Sequence, residues 1–377
     1  MSVETYVSAS TLPLRFVVTV DTEADDAWAH PDEIRLDNIR ALPRFQELCE
    51  RFSVVPTYLL TYECAHRDEA LSILAPIADS ARCEIGHHLH VWTCPPFAIG
   101  DRDVDRRFVL AHQFMLPDAL FVQKAERLRQ EIEMSFGRSP TSHRAGRWGI
   151  DQRSVDWLCG AGFVAETSLR PSVRLPPSLG HHASTRYTLH RNPFLWASTD
   201  GDTGLVELPV TVDLPQGAAA RACRAWLASG LPFDSAVARV YRKLGGQRQL
   251  RPNPRYRPGE LSGIVDAAIR QGVRVLNLML HSSELALGCS PLSRNEDDAR
   301  RVWLQLAEVF AHVQRAGIRS AALTATARLV RPPIGDETGH GVPMESSTSG
   351  SDALVRTACE LGDALAPSGR APNRLTP

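Results

Sequence analysis

The sequence predicts an α/β fold, a distorted (β/α) barrel, and three observations carry that prediction. Apolar, β-rich segments alternate with amphipathic helical segments from residue 15 to residue 324. The count is seven or eight strands with helices between them, which is typical of a parallel sheet. Polar residues directly follow several of these strands, where barrels of this kind carry their reacting groups.

The first half of the chain gives three strands and three helices. Strands are predicted at 15–20 and 53–60 and at the start of the histidine-rich stretch 83–92, and helices at 42–52, 68–78 and 119–136. Pro43 is tolerated in the first turn of its helix, where a backbone N–H would have no partner anyway. Gly137 suits the end of the long helix because glycine readily adopts the left-handed conformation found there.

The second half continues the alternation. Asp151 is the predicted cap of a helix that runs to Ala161. Strands are predicted at 162–168, 205–210, 274–281 and 318–324, helices at 218–229, 234–244, 258–271 and 296–316, and a long loop with a hairpin at 171–204. The predicted domains are a leader at 1–13, one barrel at 14–332, and a low-complexity, mostly disordered tail at 333–377.

Composition excludes several classes of protein. The 377 residues carry a formal net charge of −1, which argues against nucleic acid or an anionic membrane as the partner. The eight cysteines include no Cys-x-x-Cys pair, and no apolar run reaches membrane-spanning length. The amino-terminal residues do not form a secretion signal. A cytoplasmic protein with a small-molecule or oligosaccharide substrate is expected, and its oligomeric state stays open.

The histidine-rich stretch is the first candidate site. His88 and His90 are two residues apart, so on an extended segment they share one face, roughly 6.6 Å apart at the backbone. Two imidazoles in that position can converge on one divalent metal ion. His87 points to the opposite face and is the weaker candidate.

An acidic pair follows the first strand with the same spacing. Asp21 and Glu23 would share a face, and one carboxylate beside two histidines completes a site with an open position for water. The other carboxylate could then act as a base towards that water. His281 ends a late apolar strand, and there it could protonate a leaving group.

One glycine-flanked loop, 142–149, supplies the remaining candidates. Arg144 could hold the base carboxylate, and Trp148 could form an apolar wall for a ring. Arg147 lies between them, and Trp92 follows the histidines. Trp92, Arg147 and Trp148 are the predicted substrate-binding residues.

Four motifs together resemble the polysaccharide deacetylases, the NodB-homology or carbohydrate esterase family four, in their WalW-type branch. They are Val20-Asp21-Thr22-Glu23, the stretch 84–92, the loop His143 to Gly149, and Leu280-His281-Ser282-Ser283-Glu284-Leu285. The resemblance spans about 15–325 and implies a distorted (β/α)7 barrel of the NodB-homology type. It also implies metal-dependent hydrolysis of an N-acetyl or O-acetyl group, usually on a sugar, with Zn²⁺ as the commonest metal.

The resemblance also implies roles for single residues. Asp21 falls at the catalytic-base position, Glu23 near the metal-carboxylate position and His88 at the first metal-histidine position. Arg144 falls at the position that orients the base, and His281 at the late catalytic histidine. The family's second histidine would fall at position 92, where this sequence has Trp92, and His90 is expected to replace it.

Two other metal enzymes are disfavoured by the same residues. An amidohydrolase-type barrel places a His-x-His pair after its first strand, but this chain has its acidic pair there. A cupin requires an all-β chain with a glutamate soon after the histidines, and the helical stretches and the lack of such a glutamate argue against it. A non-catalytic carbohydrate-binding barrel and a metal-independent hydrolase of C–N amide bonds are the remaining alternatives.

Overall fold

The computed structural model describes residues 4–6, 12–27, 33–80, 82–97, 112–171, 190–201, 203–214, 217–219, 221–222, 240 and 248–331. The strands are β1 Glu4–Tyr6, β2 Arg15–Thr22, β3 Pro56–Leu60, β4 Glu84–Leu89, β5 Ser142–Ala145, β6 Ala165–Glu166, β7 Phe194–Ala197, β8 Gly204–Glu207, β9 Val212–Asp213, β10 Arg248–Gln249, β11 Val275–His281 and β12 Arg319–Ser320. The helices are α1 Leu42–Arg51, α2 Tyr62–His66, α3 Asp68–Asp79, α4 Asp118–Phe136, α5 Gln152–Gly160, α6 Glu260–Arg270, α7 Glu296–Arg315 and α8 Leu323–Val330. Among these helices none is long and apolar enough to cross a lipid bilayer.

Seven parallel strands form the core of the fold, in the order β11, β2, β3, β4, β5, β6 and β8. The first and last strands of this order, β11 and β8, are joined by hydrogen bonds just beyond β8. There Thr211 N donates to Asn277 O on β11 at 3.0 Å. Asn277 Nδ2 donates in turn to Leu208 O at 3.1 Å. The predicted distorted (β/α)7 barrel is therefore confirmed. Strand β7 pairs antiparallel with β8, and β1 pairs antiparallel with β7.

Strands β3 and β11 form in the middle of the fold because their sequences are mostly apolar on both faces. Every residue of β3 and β11 is buried, as expected for parallel strands covered by helices. Helix α7 presents one apolar stripe to the sheet, and Phe310 on it meets Phe16 of β2 edge-on at 6.0 Å. Asn295 caps this helix by accepting from Asp298 N at 2.9 Å. Burial of a large apolar side chain such as Phe310 contributes about 1.5–3 kcal/mol to the free energy of unfolding.

The predicted closing strand at 318–324 is wrong over most of its length. Only β12 pairs with the sheet there, and helix α8 begins at Leu323. Thr57 Oγ1 accepts from Leu323 N and Glu84 Oε2 accepts from Thr324 N, both at 2.9 Å. These side chains from β3 and β4 satisfy the first N–H groups of α8, so long-range partners decide the conformation.

Other boundaries also differ from the predictions. The strand predicted at 162–168 shortens to β6, and the one at 53–60 begins at Pro56. The segment assigned to a leader contains β1. The helices predicted at 218–229 and 234–244 lie mostly outside the described residues, and the tail at 333–377 lies wholly outside them. The domain boundaries therefore stay a prediction.

A buried pair of acids lies on β6 and β8, where Glu166 and Glu207 are register partners with no exposed surface. Backbone amides approach both: Ser168 N donates to Glu166 at 2.8 Å and Leu169 N to Glu207 at 3.0 Å. Burial raises the pKa of Glu207 well above its ordinary value, and the neighbouring Glu166 raises it further. The folded protein therefore holds a proton on Glu207 more tightly than the unfolded chain does.

We expect Glu207→Gln to stabilise the protein at alkaline pH. A raised pKa contributes stability that is complete below the unfolded pKa and is lost as pH rises through the folded pKa. A pKa raised by one corresponds to about 1.4 kcal/mol. Glutamine keeps the neutral form at every pH, so its advantage in the free energy of unfolding should grow with pH. Denaturant unfolding measured across pH tests this, with the exposed Glu47→Gln as control; parallel curves for wild type and Glu207→Gln would contradict it.

Candidate active site

The ends of four strands bring the candidate residues together, with β11 and β2 on one side of β3 and with β4 and β5 on the other. In the register of the sheet His281 lies beside Asp21, and His88 lies beside Arg144. Because adjacent parallel strands present register partners to the same face, these side chains point into one space. His90 follows directly after β4 on the same face as His88, and all five are at most 5% exposed.

Glu23, His88 and His90 form a compact group of potential metal ligands. Their ligand atoms all lie within 4.8 Å of one another. Glu23 Oε2 lies 3.3 Å from His90 Nε2 and 3.9 Å from His88 Nε2. Ligands bound about 2.0–2.1 Å from a tetrahedral zinc ion are about 3.3–3.4 Å apart. The group is therefore close to the spacing that such an ion requires.

A hydrogen bond to the backbone leaves one ring nitrogen of His88 available as a potential metal ligand. Its Nδ1 lies 2.9 Å from the backbone carbonyl of Arg144, so this nitrogen carries the proton and donates. That leaves the lone pair of Nε2 directed towards Glu23 and Asp21. In known sites a metal-ligating histidine is oriented by the same kind of hydrogen bond, made by the ring nitrogen that does not bind the metal. Burial also lowers the pKa of His88, which favours the neutral ring that a ligand needs.

The carboxyl group of Glu23 lies in an acidic environment. Burial raises the pKa of Glu23 well above its ordinary value, and the nearby Asp21, Glu63 and Glu284 carboxylates raise it further. Its backbone is fixed, because Ser282 Oγ accepts from Glu23 N at 3.2 Å and Asn38 Nδ2 donates to Glu23 O at 2.9 Å. Such a group of carboxylates favours a bound cation.

Asp21 is held as a carboxylate by an arginine. Arg144 Nη1 donates to Asp21 Oδ1, and Arg144 Nη2 donates to Thr19 Oγ1 at 2.8 Å. Burial raises the pKa of Asp21, but Arg144, His88 and His281 outweigh burial and lower this pKa below its usual value. The second oxygen, Oδ2, lies 3.9 Å from His88 Nε2 and 3.6 Å from His281 Nε2.

His281 faces the two acids with one nitrogen and a third acid with the other. Its Nε2 lies 3.6 Å from Asp21 Oδ2 and 4.0 Å from Glu23 Oε1. Its Nδ1 lies 2.8 Å from Glu284 Oε1, and Arg251 pairs with that same oxygen. Neither Glu284 nor Arg251 is among the residues that the sequence predicts for the site. Glu284 could have been found, because it stands three residues after His281, whereas Arg251 had no local signal.

Two tryptophans, Trp92 and Trp148, lie beside these polar residues. Trp92 stacks on the ring of His90 at 4.2 Å, and the Arg147 guanidinium lies 5.3 Å from the centre of the Trp92 ring. Trp148 lies against the Arg144 guanidinium at 5.4 Å. Each tryptophan is therefore held in position by another candidate residue, Trp92 by His90 and Arg147 and Trp148 by Arg144.

All nine predicted site residues line one cavity, whose volume within the described part of the chain is about 50 Å³. The lining consists of Asp21, Glu23, Ala27, His88, His90, Trp92, Arg144, Ala145, Arg147, Trp148 and His281. His87 points away from the cavity, as predicted. Its Nδ1 lies 2.8 Å from His143 Nδ1, and its Nε2 lies 3.1 Å from the backbone oxygen of Ala125 on α4. The predicted residues therefore lie together around one cavity. The chemical role of each residue stays a prediction.

The loop that carries Arg147 and Trp148 depends on a glycine. Both residues have positive φ, at 53° and 63°. A Cβ on Gly146 would lie 2.5 Å from the backbone oxygen of Leu89 and 3.0 Å from His90 Cδ2. Only glycine therefore lets the loop approach the end of β4 so closely.

We expect Gly146→Ala to destabilise the protein and to displace His90. The clash is with a backbone atom that cannot rotate away, and overpacking of this kind costs about 1–3 kcal/mol. Urea unfolding measures the loss, and zinc titration should show weaker binding. Gly263→Ala is the matched control, because a Cβ there meets nothing within 4 Å and the site is an exposed helix interior. That variant should gain about 0.5–1 kcal/mol; equal effects in both variants would contradict the account.

Solved structures similar to this chain include carbohydrate-active proteins. One is assigned as a polysaccharide deacetylase from Mycobacterium smegmatis, with a TM-score of 0.48 and 16% identity over 90% of this chain and 99% of that chain. A family 4 acetyl xylan esterase from Clostridium thermocellum, in complex with cobalt, has a TM-score of 0.36 and 11% identity over 83% and 90%. A family pseudoenzyme from Bacillus anthracis has a TM-score of 0.39 and 11% identity over 84% and 66%.

No protein-family model and no curated protein matches the sequence. Polysaccharide deacetylases are thus among the structures that this chain resembles, as its four motifs predict. Matches at this level assign neither a family nor an activity to the chain.

Proposed function

We propose that the chain is a metal-dependent deacetylase that hydrolyses an N-acyl or O-acyl group on a sugar or a glycosylated small molecule. The observation that carries the proposal is the grouping of Glu23, His88 and His90 within 4.8 Å. Beside this group lie a carboxylate, Asp21, and an imidazole, His281, whose facing atoms Oδ2 and Nε2 are 3.6 Å apart, and such a pair can serve as base and acid.

The donor set fits a divalent metal ion. Two imidazole nitrogens and one carboxylate oxygen are a common zinc set that leaves a position for water or substrate. The hydrogen bond from His88 Nδ1 to the backbone supports this fit, since it frees Nε2 as a ligand. An ion bound by Glu23, His88 and His90 would polarise the acyl carbonyl and lower the pKa of a water molecule towards about 7.

The remaining polar residues would move the protons. Asp21 Oδ2 accepts the proton of the attacking water, while Arg144 holds the other oxygen and keeps the carboxylate ionised. His281 in its imidazolium form would donate the Nε2 proton, which faces the same space, to the departing amine or alcohol and keep the proton on Nδ1. The two groups thus serve as base and acid on one substrate.

The lining of the cavity suits an acyl group attached to a ring. The potential metal ligands and the two proton-transfer residues line the same cavity, so an acyl group that enters it would meet all of them. Trp92 and Trp148 in that lining offer apolar faces for a sugar ring, and Arg147 offers a cation. These three side chains support a glycosylated substrate over a simple amide.

A non-catalytic carbohydrate-binding barrel is the second candidate. Trp92 stands where the family resemblance expects the second metal histidine, and its ring covers one face of His90. A site used only for sugar binding would keep the tryptophans without needing the cation. Hydrolysis of C–N amide bonds by Asp21 and His281 without a metal is the remaining alternative.

Acetate release from a panel of acetylated sugars and nucleotide-sugars separates these functions. We expect chelator-treated protein to lose turnover and one equivalent of Zn²⁺ to restore it, because the site has one set of three ligands. Turnover that survives removal of all metal would favour the metal-independent hydrolase. Sugar binding by calorimetry without any acetate release from the zinc-loaded protein would favour the binding barrel.

A further inference from the structure

The Nδ1 atom of His281 has two neighbours with opposite chemistry. Glu284 Oε1 lies 2.8 Å away and can only accept a hydrogen bond. Arg251 Nη2 lies 3.0 Å away and can only donate one. A single ring nitrogen satisfies one of them at a time, because it either carries a proton or offers a lone pair. The neighbour that prevails fixes the tautomer of the neutral ring.

In the folded protein Glu284 prevails. Burial raises the pKa of Glu284, but Arg251 and His281 outweigh it and lower the pKa, so the side chain is a carboxylate. Its Oε1 accepts from Arg251 as well, which gives the guanidinium a partner other than the ring. The turn Ser282–Leu285 sets this geometry, and Ser293 Oγ anchors it by donating to Glu284 O. These contacts favour a neutral ring with its proton on Nδ1, and Nε2 then faces Asp21 Oδ2 at 3.6 Å.

We propose that Glu284 is a positioning residue that fixes the Nδ1–H tautomer of His281, and that Arg251 would invert this tautomer if Glu284 were lost. The tautomer follows from the hydrogen bonds alone. Its consequence for turnover rests on the proposed function, in which His281 donates a proton from Nε2.

The inverted tautomer would disable proton donation. When the imidazolium acts as an acid, its Nε2–H bond breaks, the amine N–H bond forms and the electron pair returns to Nε2. The other proton stays on Nδ1, in its bond to Glu284. With Nδ1 accepting from Arg251 instead, the neutral ring carries its only proton on Nε2. Protonation to the imidazolium would then place an N–H against the guanidinium, so the acid form is not regenerated.

Nitrogen-15 NMR of histidine-labelled, zinc-loaded full-length protein tests the tautomer directly, at a pH where the ring is neutral. The His281 signals are assigned by their absence in His281→Gln. We expect Nδ1–H in wild type and in Arg251→Met, Nε2–H in Glu284→Leu, and a mixture in the double variant. Glu284→Met serves the same measurement if the leucine variant does not fold. A Glu284→Leu protein that keeps Nδ1–H would overturn the inference.

Kinetics of the same variants give the second readout. Glu284→Leu should lower kcat by about 10²–10⁴-fold, the usual contribution of acid–base catalysis, with KM little changed. Adding Arg251→Met should recover at least about tenfold, since the opposing donor is then gone. A merely structural role would make the double variant worse, and that outcome would also overturn the inference. If the tautomers behave as expected but wild type releases no acetate, the proposed function fails and the inference about His281 stands.

Discussion

Replacing His88 by alanine is expected to remove both bound metal and turnover. His88 Nε2 is one of three ligand atoms in the group, and its orientation is fixed by the hydrogen bond to Arg144 O. Loss of an outer partner of a metal ligand already costs about 10–100-fold in affinity, so loss of the ligand itself should cost more. Without the cation, kcat should fall by about 10³-fold or more. Elemental analysis and acetate release measure the two effects.

The matched control for this variant is a surface histidine. His66 has a side chain that is 52% exposed and pairs with Glu131 away from the site. His66→Ala should keep one equivalent of zinc and wild-type turnover. A His88→Ala protein that remains active without metal would refute the metal-dependent mechanism.

Asp21→Asn is expected to keep the metal and lose turnover. Asparagine matches the carboxylate in size, but its amide cannot accept a proton from water. A base of this kind contributes about 10²–10⁴-fold, and kcat should fall by that factor. The ion pair with the buried Arg144 is lost as well, which should cost about 3–5 kcal/mol of stability. Activity is therefore compared at a temperature where thermal unfolding shows the variant to be folded.

The control for Asp21→Asn is another acid that forms a hydrogen-bonded pair with a basic residue. Asp266 is half-exposed on α6, where it pairs with His312 at 2.8 Å. Asp266→Asn should retain turnover. Wild-type turnover in Asp21→Asn would show that Asp21 is not the base, and loss of metal would show that it is a ligand.

The sequence was enough to predict which residues lie together at the candidate site, because their placement follows simple geometric rules. Asp21 and Glu23, like His88 and His90, stand two residues apart at strand ends, and extended backbone places such pairs on one face. Parallel strands then bring their carboxyl ends to the same end of the barrel. The alternation of strands and helices was enough to predict that these ends meet.

What the sequence could not predict depends on contacts between distant segments. Arg251 reaches His281 across 30 residues, and no spacing in the sequence indicates that pairing. Helix α8 replaces a predicted strand because Thr57 and Glu84 accept from its first N–H groups. In both cases a partner far along the chain decides the outcome, and local propensity carries no information about it.

The most direct test of the metal centre is a crystal structure of the zinc-loaded protein with anomalous scattering at the zinc edge. We predict one peak about 2.0–2.2 Å from Glu23, His88 Nε2 and His90 Nε2. A structure from zinc-saturated crystals with no peak there, or with a peak that only other residues ligate, would contradict the proposed centre.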